Sequence, residues 1–241
     1  MNKTTDPSPT EPTNGQVCTF KMTGADGLSF LNNQTLTDLS KHPGQMVYTA
    51  ICNPKGRLLF SLFLQTSDDG VMVAVDRSLC DNFLQYVTMR RFRLNYALEK
   101  SKQILVFDPS SEQPTVSAHM HFAEPTAPPA DADQFWSFMF RLGLPWITAT
   151  TSEAFIPQHL NLEHMGIIDY DKGCYPGQEI VARLHFLGKI KKQMRLINHP
   201  SPTPMTVEEL QKRADMAGLE DFCSPIIKQA KGWMCQAVFN T

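Results

Sequence analysis

The sequence predicts an α+β fold, and three observations carry that expectation. Residues 17–22, 45–52, 57–66 and 71–75 are β-rich runs bounded by turn-forming residues. Residues 78–89 place Leu79, Phe83, Tyr86 and Val87 at the spacing of one helical face. Strands come in a run, with helices interspersed to pack on one side, rather than in strict βα alternation.

Each element has a local reason. Residues 17–22 alternate and read as a strand. Asp26 then serves as the cap of a short helix through Phe30 and Leu31. The stretch Asn53-Pro54-Lys55-Gly56 is a hairpin turn by composition, and Ser67-Asp68-Asp69-Gly70 is a second. The three strands they join form a meander. After the 78–89 helix, residues 91–98 and 103–107 return to strands. Residues 108–133 carry five prolines and read as a long surface connection. His119 and His121 fall within it, on a short edge strand; with no companion carboxylate they read as surface residues, because a metal site needs three or four converging ligands. Residues 134–142 form an aromatic-rich helix ended by Gly143. Composition makes that a core helix, with the lining of an apolar ligand pocket as the sharper alternative. A linker at 200–204, a helix at 207–216 and a strand at 233–239 complete the chain.

Composition limits the function classes. The chain has 241 residues, 42% hydrophobic and 19% charged, with a net charge of -2. That balance gives no electrostatic footprint for nucleic acid or an anionic membrane, so direct nucleic-acid binding is not expected. The basic run at 189–195 alternates with apolar residues and reads as the solvated face of a strand. No apolar run approaches the ~20 residues of a membrane span. Residues 1–15 lack a signal pattern and read as a disordered tail. The six cysteines, Cys18, Cys52, Cys80, Cys174, Cys223 and Cys235, form no CxxC pair. Free thiols without a signal peptide imply a reducing cytoplasm.

One stretch stands apart. Gly173-Cys174-Tyr175-Pro176-Gly177-Gln178-Glu179 leads into a helical segment in which Ile180, Val181, Leu184 and Leu187 share a face expected to be buried. The glycines and proline supply a turn. Cys174 is therefore a thiol on a loop before a helix N-terminus, a setting that favours thiolate. Lys172 is positioned to hold a carboxylate, and Glu179 can pair with Arg183 at i+4. Gly173 and Gly177 permit close backbone approach. Cys174 is expected to be the most reactive thiol, with Cys223, at a loop border, its nearest competitor.

These residues resemble the signature of the YgfZ-type folate-binding proteins. The resemblance runs through Phe155-Ile156-Pro157-Gln158, Asn161-Leu162, Gly166-Ile167-Ile168 and Lys172 to Glu179, with Val181-Ala182-Arg183 following. It extends upstream to Thr23-Gly24-Ala25-Asp26 and Cys52-Asn53-Pro54-Lys55-Gly56-Arg57. The family is related to the aminomethyltransferase (T-protein) of glycine cleavage. The resemblance implies a T-protein-like folate-binding core at 16–190, including the 108–133 connection, and a small, reduced C-terminal β domain at 191–241. It implies tetrahydrofolate or a derivative as cofactor and no metal site. Cofactor-binding positions would be Phe135, Trp136, Arg141, Lys172, Tyr175, Gln178, Glu179 and Arg183, with Cys174 as a functional thiol. The implied role is an accessory protein for iron–sulfur cluster assembly or repair, linked to tRNA modification, with folate and iron–sulfur proteins as partners. The alternative is a folate-dependent one-carbon transferase. Active transferases of this relationship carry a pair of acids in the second hairpin strand; here that run is Gly56-Arg57-Leu58-Leu59-Phe60-Ser61, so transferase chemistry is expected to be lost. The "Glu-Ala-Gly" segment that grips the pterin is Arg141-Leu142-Gly143. A thiol enzyme with Cys174 as nucleophile and His159, His164 or His185 as base is a third reading.

Overall fold

The computed structural model describes residues 15–107, 116–126, 132–200, 206, 208–209, 212, 216–229 and 232–241. The tail expected at 1–15 therefore lies, apart from Gly15, outside the described residues. So do nearly all of the 200–204 linker and most of the 207–216 helix.

The first sheet is antiparallel, with strand order β2-β3-β4-β1-β5. Its strands are β1 (Val17–Thr23), β2 (Met46–Cys52), β3 (Leu58–Ser67), β4 (Gly70–Asp76) and β5 (Ala97–Lys100). The β2-β3-β4 meander follows from the two turns read in the sequence. β3 shows why its residues run almost continuously apolar: both faces of the strand are covered. Phe60 points at α2 (Cys80–Arg90), meeting Phe83 at 5.4 Å and Tyr86 at 5.5 Å. Phe63 points the other way and stacks on Trp146 at 5.1 Å.

Trp146 is held there by a buried carboxylate. Its indole N–H donates to Asp76 Oδ2 at 2.8 Å, while Gln16 and the Ser78 backbone and hydroxyl donate to the same carboxylate. A buried charge persists only when its lone pairs are met in this way.

The other elements are α1 (Gly27–Asn32), β6 (Ile104–Phe107), α3 (Val116–His119), β7 (Met120–Ala123), α4 (Ala132–Leu142) and α5 (Gln178–Leu187). They are followed by β8 (Lys192–His199), β9 (Leu219–Phe222), β10 (Ile227–Gln229) and β11 (Gly232–Asn240). β6 and β7 form a two-stranded sheet, and β11 pairs with β8, β9 and β10. This second large sheet shares the main core through Met194, Cys223, Ile227 and Val238. Gln236 Nε2 also donates to the Leu144 carbonyl.

Several expectations need correction. Asp26 flanks α1 but does not cap it with its side chain; its carboxylate accepts from the Asn95 backbone N–H at 2.7 Å. Residues 91–96 are not strand: Leu94 N–H turns back to the Arg91 carbonyl, and the pairing with β1 begins only at Ala97. His119 is buried against Phe138 rather than lying on the surface. Among the described residues no group of three or more His, Cys, Asp or Glu side chains converges to hold a metal ion. No helix among them is long and apolar enough to cross a membrane.

Candidate functional site

The site is built around the turn between β2 and β3. Asn53 Oδ1 accepts from the backbone N–H groups of Lys55 and Arg57, at 2.9 and 3.0 Å, and fixes the turn. Gly177 sits directly on it. A Cβ at Gly177 would lie 2.5 Å from the Asn53 carbonyl oxygen and 2.7 Å from Gly56 Cα, and its φ of 80° is in the left-handed region. Only glycine satisfies both demands. Gly173, by contrast, has nothing closer than 4.0 Å to an added Cβ, so the close approach expected of both glycines belongs to Gly177 alone.

Lys172 anchors the other end of the loop. Its buried ammonium donates to the carbonyls of Asn32, Thr35 and Thr37 at 2.5, 2.6 and 2.9 Å. All three donors are spent on the end of α1 and the segment after it, so Lys172 does not hold a carboxylate. Burial pulls its pKa down to about 8. Tyr175 is buried next to it, its ring 5.7 Å from the ammonium and its hydroxyl without a hydrogen-bond partner. Between these two inward-turned side chains, Cys174 is exposed.

α5 begins at Gln178, with Gly177 as its N-terminal flank, and the Lys172 charge faces inward.

The other five thiols are shielded. Cys52, Cys80, Cys223 and Cys235 are buried and Cys18 is half-buried. Burial drives the Cys52 and Cys223 thiols well above their ordinary range. Cys223 is therefore no competitor; Cys18 is the nearest, although burial and the neighbouring Cys80 push it up to about 12.

α5 itself departs from expectation. Only Val181 is fully buried, while Ile180 is 41%, Phe186 70% and Leu187 83% exposed. Glu179 and Arg183 are exposed and form no ion pair with each other. The helix is held instead by its ends and one buried amide. Gln158 Nε2 donates to the Val181 carbonyl at 2.9 Å. His185 stacks on Tyr170 at 4.0 Å and meets Glu163 at 2.5 Å, an arrangement that gives it no part in activating Cys174.

The positions marked for folate divide into two groups. Lys172 and Tyr175 are in the Cys174 loop, and Gln178, Glu179 and Arg183 follow it on α5. Phe135, Trp136 and Arg141 are on α4, which packs against β10 and β11. Phe135 is enclosed by Phe107, Trp136 and Trp146, so its ring has no free face for a ligand. Arg141 lies over the Phe138 ring at 5.0 Å. Of the three, Trp136 lines a cleft of about 560 Å³, together with Asp133, Thr148, Thr150, Thr151 and Ser224, while Arg141 is exposed to solvent. Its volume suits a small flat ligand. Asp133 contributes a carboxyl group to the lining, and the hydroxyls of Thr148, Thr150 and Thr151 bond to one another. The threonines and Ser224 are invisible as site residues in the sequence, because they come from separate segments with no motif.

The strand that would carry transferase acids is core. Leu58, Phe60 and Ser61 are buried, and Ser61 Oγ accepts from the Ile147 backbone N–H. Asp69 is at the far end of β3, in an ion pair with Lys21.

Similar proteins are known by sequence and by fold. The chain is 26% identical over 235 aligned positions to the tRNA-modifying protein YgfZ of Yersinia pestis (strain Pestoides F), covering 79% of this chain and 71% of that protein. The YgfZ of Colwellia psychrerythraea is 30% identical over 131 positions, covering 54% of this chain and 39% of that protein. The chain is similar in sequence to the YgfZ proteins. No family model matches the sequence. Among solved structures, the glycine cleavage system aminomethyltransferase T from Bartonella henselae superposes with a TM-score of 0.54 over 92% of this chain and 82% of that one, at 10% identity. That likeness establishes the mixed α+β fold of the T-protein kind.

Proposed function

We propose that this chain is a folate-binding accessory protein of the YgfZ kind, serving iron–sulfur cluster assembly or repair with a link to tRNA modification, and working through Cys174. The observation that carries this reading is the contrast within one loop. Lys172, Tyr175 and Gly177 are locked into the fold, and between them stands the only exposed thiol among the described residues. A cysteine kept for packing is buried; one held out by a rigid frame is available for chemistry.

Aminomethyl transfer is not the proposed activity. The hairpin strand offers buried apolar side chains where acids are needed, and Asp69 is about 30 Å away along the strand at ~3.3 Å per residue. Folate binding is proposed at the cleft beside α4, with Asp133 accepting from pterin N–H groups and Trp136 forming part of the wall. The division into a 16–190 core and a 191–241 β lobe is kept as part of this reading, the two sharing one hydrophobic core.

Three measurements test it separately. Limited alkylation with peptide mapping is expected to label Cys174 first, Cys18 next and the buried four only on unfolding; labelling of Cys223 before Cys174 overturns the thiol. Cys174→Ser is expected to abolish rescue of modified tRNA nucleosides in cells lacking a YgfZ protein, with thermal stability unchanged. Titration with tetrahydrofolate is expected to saturate and to weaken about tenfold in Asp133→Asn. No binding at millimolar folate removes the ligand, and multiple-turnover one-carbon transfer overturns the non-transferase reading.

A further inference from the structure

The end of α2 and the turn that follows it are exposed without a break from Thr88 to Asn95. Arg90, Arg91 and Arg93 alternate there with Met89, Phe92 and Leu94, and the run holds no acidic residue. Met89 is 72% and Phe92 90% exposed. The net charge of -2 averages this local concentration of positive charge away.

The arginines are not neutralised. Among the described residues the ion pairs are made by lysines and one histidine, and none by an arginine. The guanidiniums lie instead near aromatic rings: Arg90 at 3.6 Å from the Tyr86 centroid, Arg91 at 6.0 Å from Tyr96 and Arg93 at 5.6 Å from Phe92. A guanidinium resting on its face keeps N–H groups at its edge for an anion. Asp26, at the base of the turn, gives Oδ2 to the Asn95 backbone N–H.

The turn is also held in shape. Arg91 N–H donates to the Thr88 carbonyl and Leu94 N–H to the Arg91 carbonyl, at 3.2 and 2.8 Å. Tyr96 is buried and donates its hydroxyl to the Val87 carbonyl. Phe92 itself has a φ of 40°, a left-handed backbone that is unfavourable for an aromatic residue. Packing gives no reason for a phenyl ring at so exposed a position. A short run of contacts joins the patch to the Cys174 loop: Arg90 rests on Tyr86, the Tyr86 hydroxyl donates to Gln34 Oε1 at 2.8 Å, and Oδ1 of the preceding Asn33 is 4.0 Å from the Cβ position of Gly173.

Unpaired guanidiniums suit phosphates, which they can hold by two parallel bonds. A fixed ring suits a nucleobase, since every base has a face to stack. A specific protein partner would need about 800 Å² on each side, more than one eight-residue turn supplies. An anionic membrane is met by a continuous apolar face, and here apolar and basic residues alternate. Thr88 and Asn95, at the two ends, offer polar groups to a ribose 2′-hydroxyl, the group that tells RNA from DNA.

We propose that the turn at 88–95 is a docking surface for an unpaired stretch of RNA, with one base stacked on Phe92 and the neighbouring phosphates held by Arg90, Arg91 and Arg93. The surface does not depend on folate binding or on the Cys174 thiol.

Fluorescence anisotropy of a short labelled oligouridylate, titrated with the full chain at rising salt, tests it. Saturable binding is expected, with log affinity falling against log salt at a slope of about −2, since three phosphates contribute ~0.7 each. Arg91→Gln and Arg93→Gln should each reduce that slope by about 0.7. Phe92→Ala should weaken binding about fivefold or more with the slope unchanged, and Phe92→Trp should restore it. All three side chains are exposed, so thermal unfolding of these variants should match the parent and separate lost binding from lost folding. Absence of saturation at about 0.5 mM protein in low salt, where even weak complexes form, would overturn the proposal. So would native affinity in Phe92→Ala, an unchanged slope in the arginine variants, or equal binding of an oligothymidylate of the same length. Tighter binding of polyglutamate, or of vesicles containing phosphatidylserine, than of oligouridylate would assign the patch to an acidic protein or a membrane and equally overturn it.

Discussion

α4 and α5 are helices of nearly equal length, and both are rich in apolar residues, yet they lead opposite lives. α4 buries Phe135, Trp136, Phe138, Met139 and Phe140 between the two sheets. α5 buries Val181 and presents Phe186 and Leu187 to solvent. α4 is part of the core that the sheets need. α5 is a strut: it is fixed at Gly177 on the hairpin turn, at Val181 by the Gln158 amide and at His185 by Tyr170 and Glu163. It follows directly on the Cys174 loop, and most of the rest of its surface is left open. Apolar content alone does not distinguish a helix that fills a core from one that frames a site.

The largest effect that can break this contrast is in α4. Phe135→Ala should cost about 3–5 kcal/mol, because it opens a cavity among three aromatic rings. Phe186→Ala on α5 should stay within about 0.5 kcal/mol. Urea unfolding of the two variants measures both, and near-equal losses would make α5 a core helix after all.

The next effect strikes the point where α5 is anchored. Gly177→Ala forces a side chain into the Asn53 carbonyl at positive φ and should cost at least about 1–3 kcal/mol from backbone strain. Gly173→Ala should be silent within about 0.5 kcal/mol. If thermal unfolding ranks them the other way, the loop is not docked through Gly177.

The smallest effect is a pH dependence at the foot of the strut. Burial, with Lys192 and Arg57 adding repulsion, draws His159 down to about 4 from its ordinary 6.5. Between these values the unfolded chain binds more protons than the folded one. The stabilisation from keeping this imidazole neutral is therefore whole above pH 6.5 and is lost as pH falls toward 4. His159→Gln should flatten the slope of the urea midpoint across that same window; an unchanged slope would assign the acid sensitivity elsewhere.

Much of the fold is legible in the sequence alone. The meander, the helix at 78–89, the aromatic helix ended by Gly143 and the strand at 233–239 follow from local pattern and turn chemistry, which act between residues close in the chain. The loop from Lys172 to Glu179 is conspicuous for the same reason: glycine and proline at fixed offsets report backbone geometry directly. Local pattern also places Cys174 outside any strand or helix.

Only the tertiary structure decided what faces what. That Lys172 turns inward depends on the carbonyls of Asn32, Thr35 and Thr37, some 140 residues earlier in the chain. That Cys223 is sealed depends on β11 lying across it, its backbone N–H bonded to the Gln236 carbonyl. The exposure of Leu187 and the enclosure of Phe135 are likewise set by distant segments. Periodicity measures which residues share a face. Burial is settled by whether another part of the chain arrives to cover that face, and this depends on long-range packing that no local window contains.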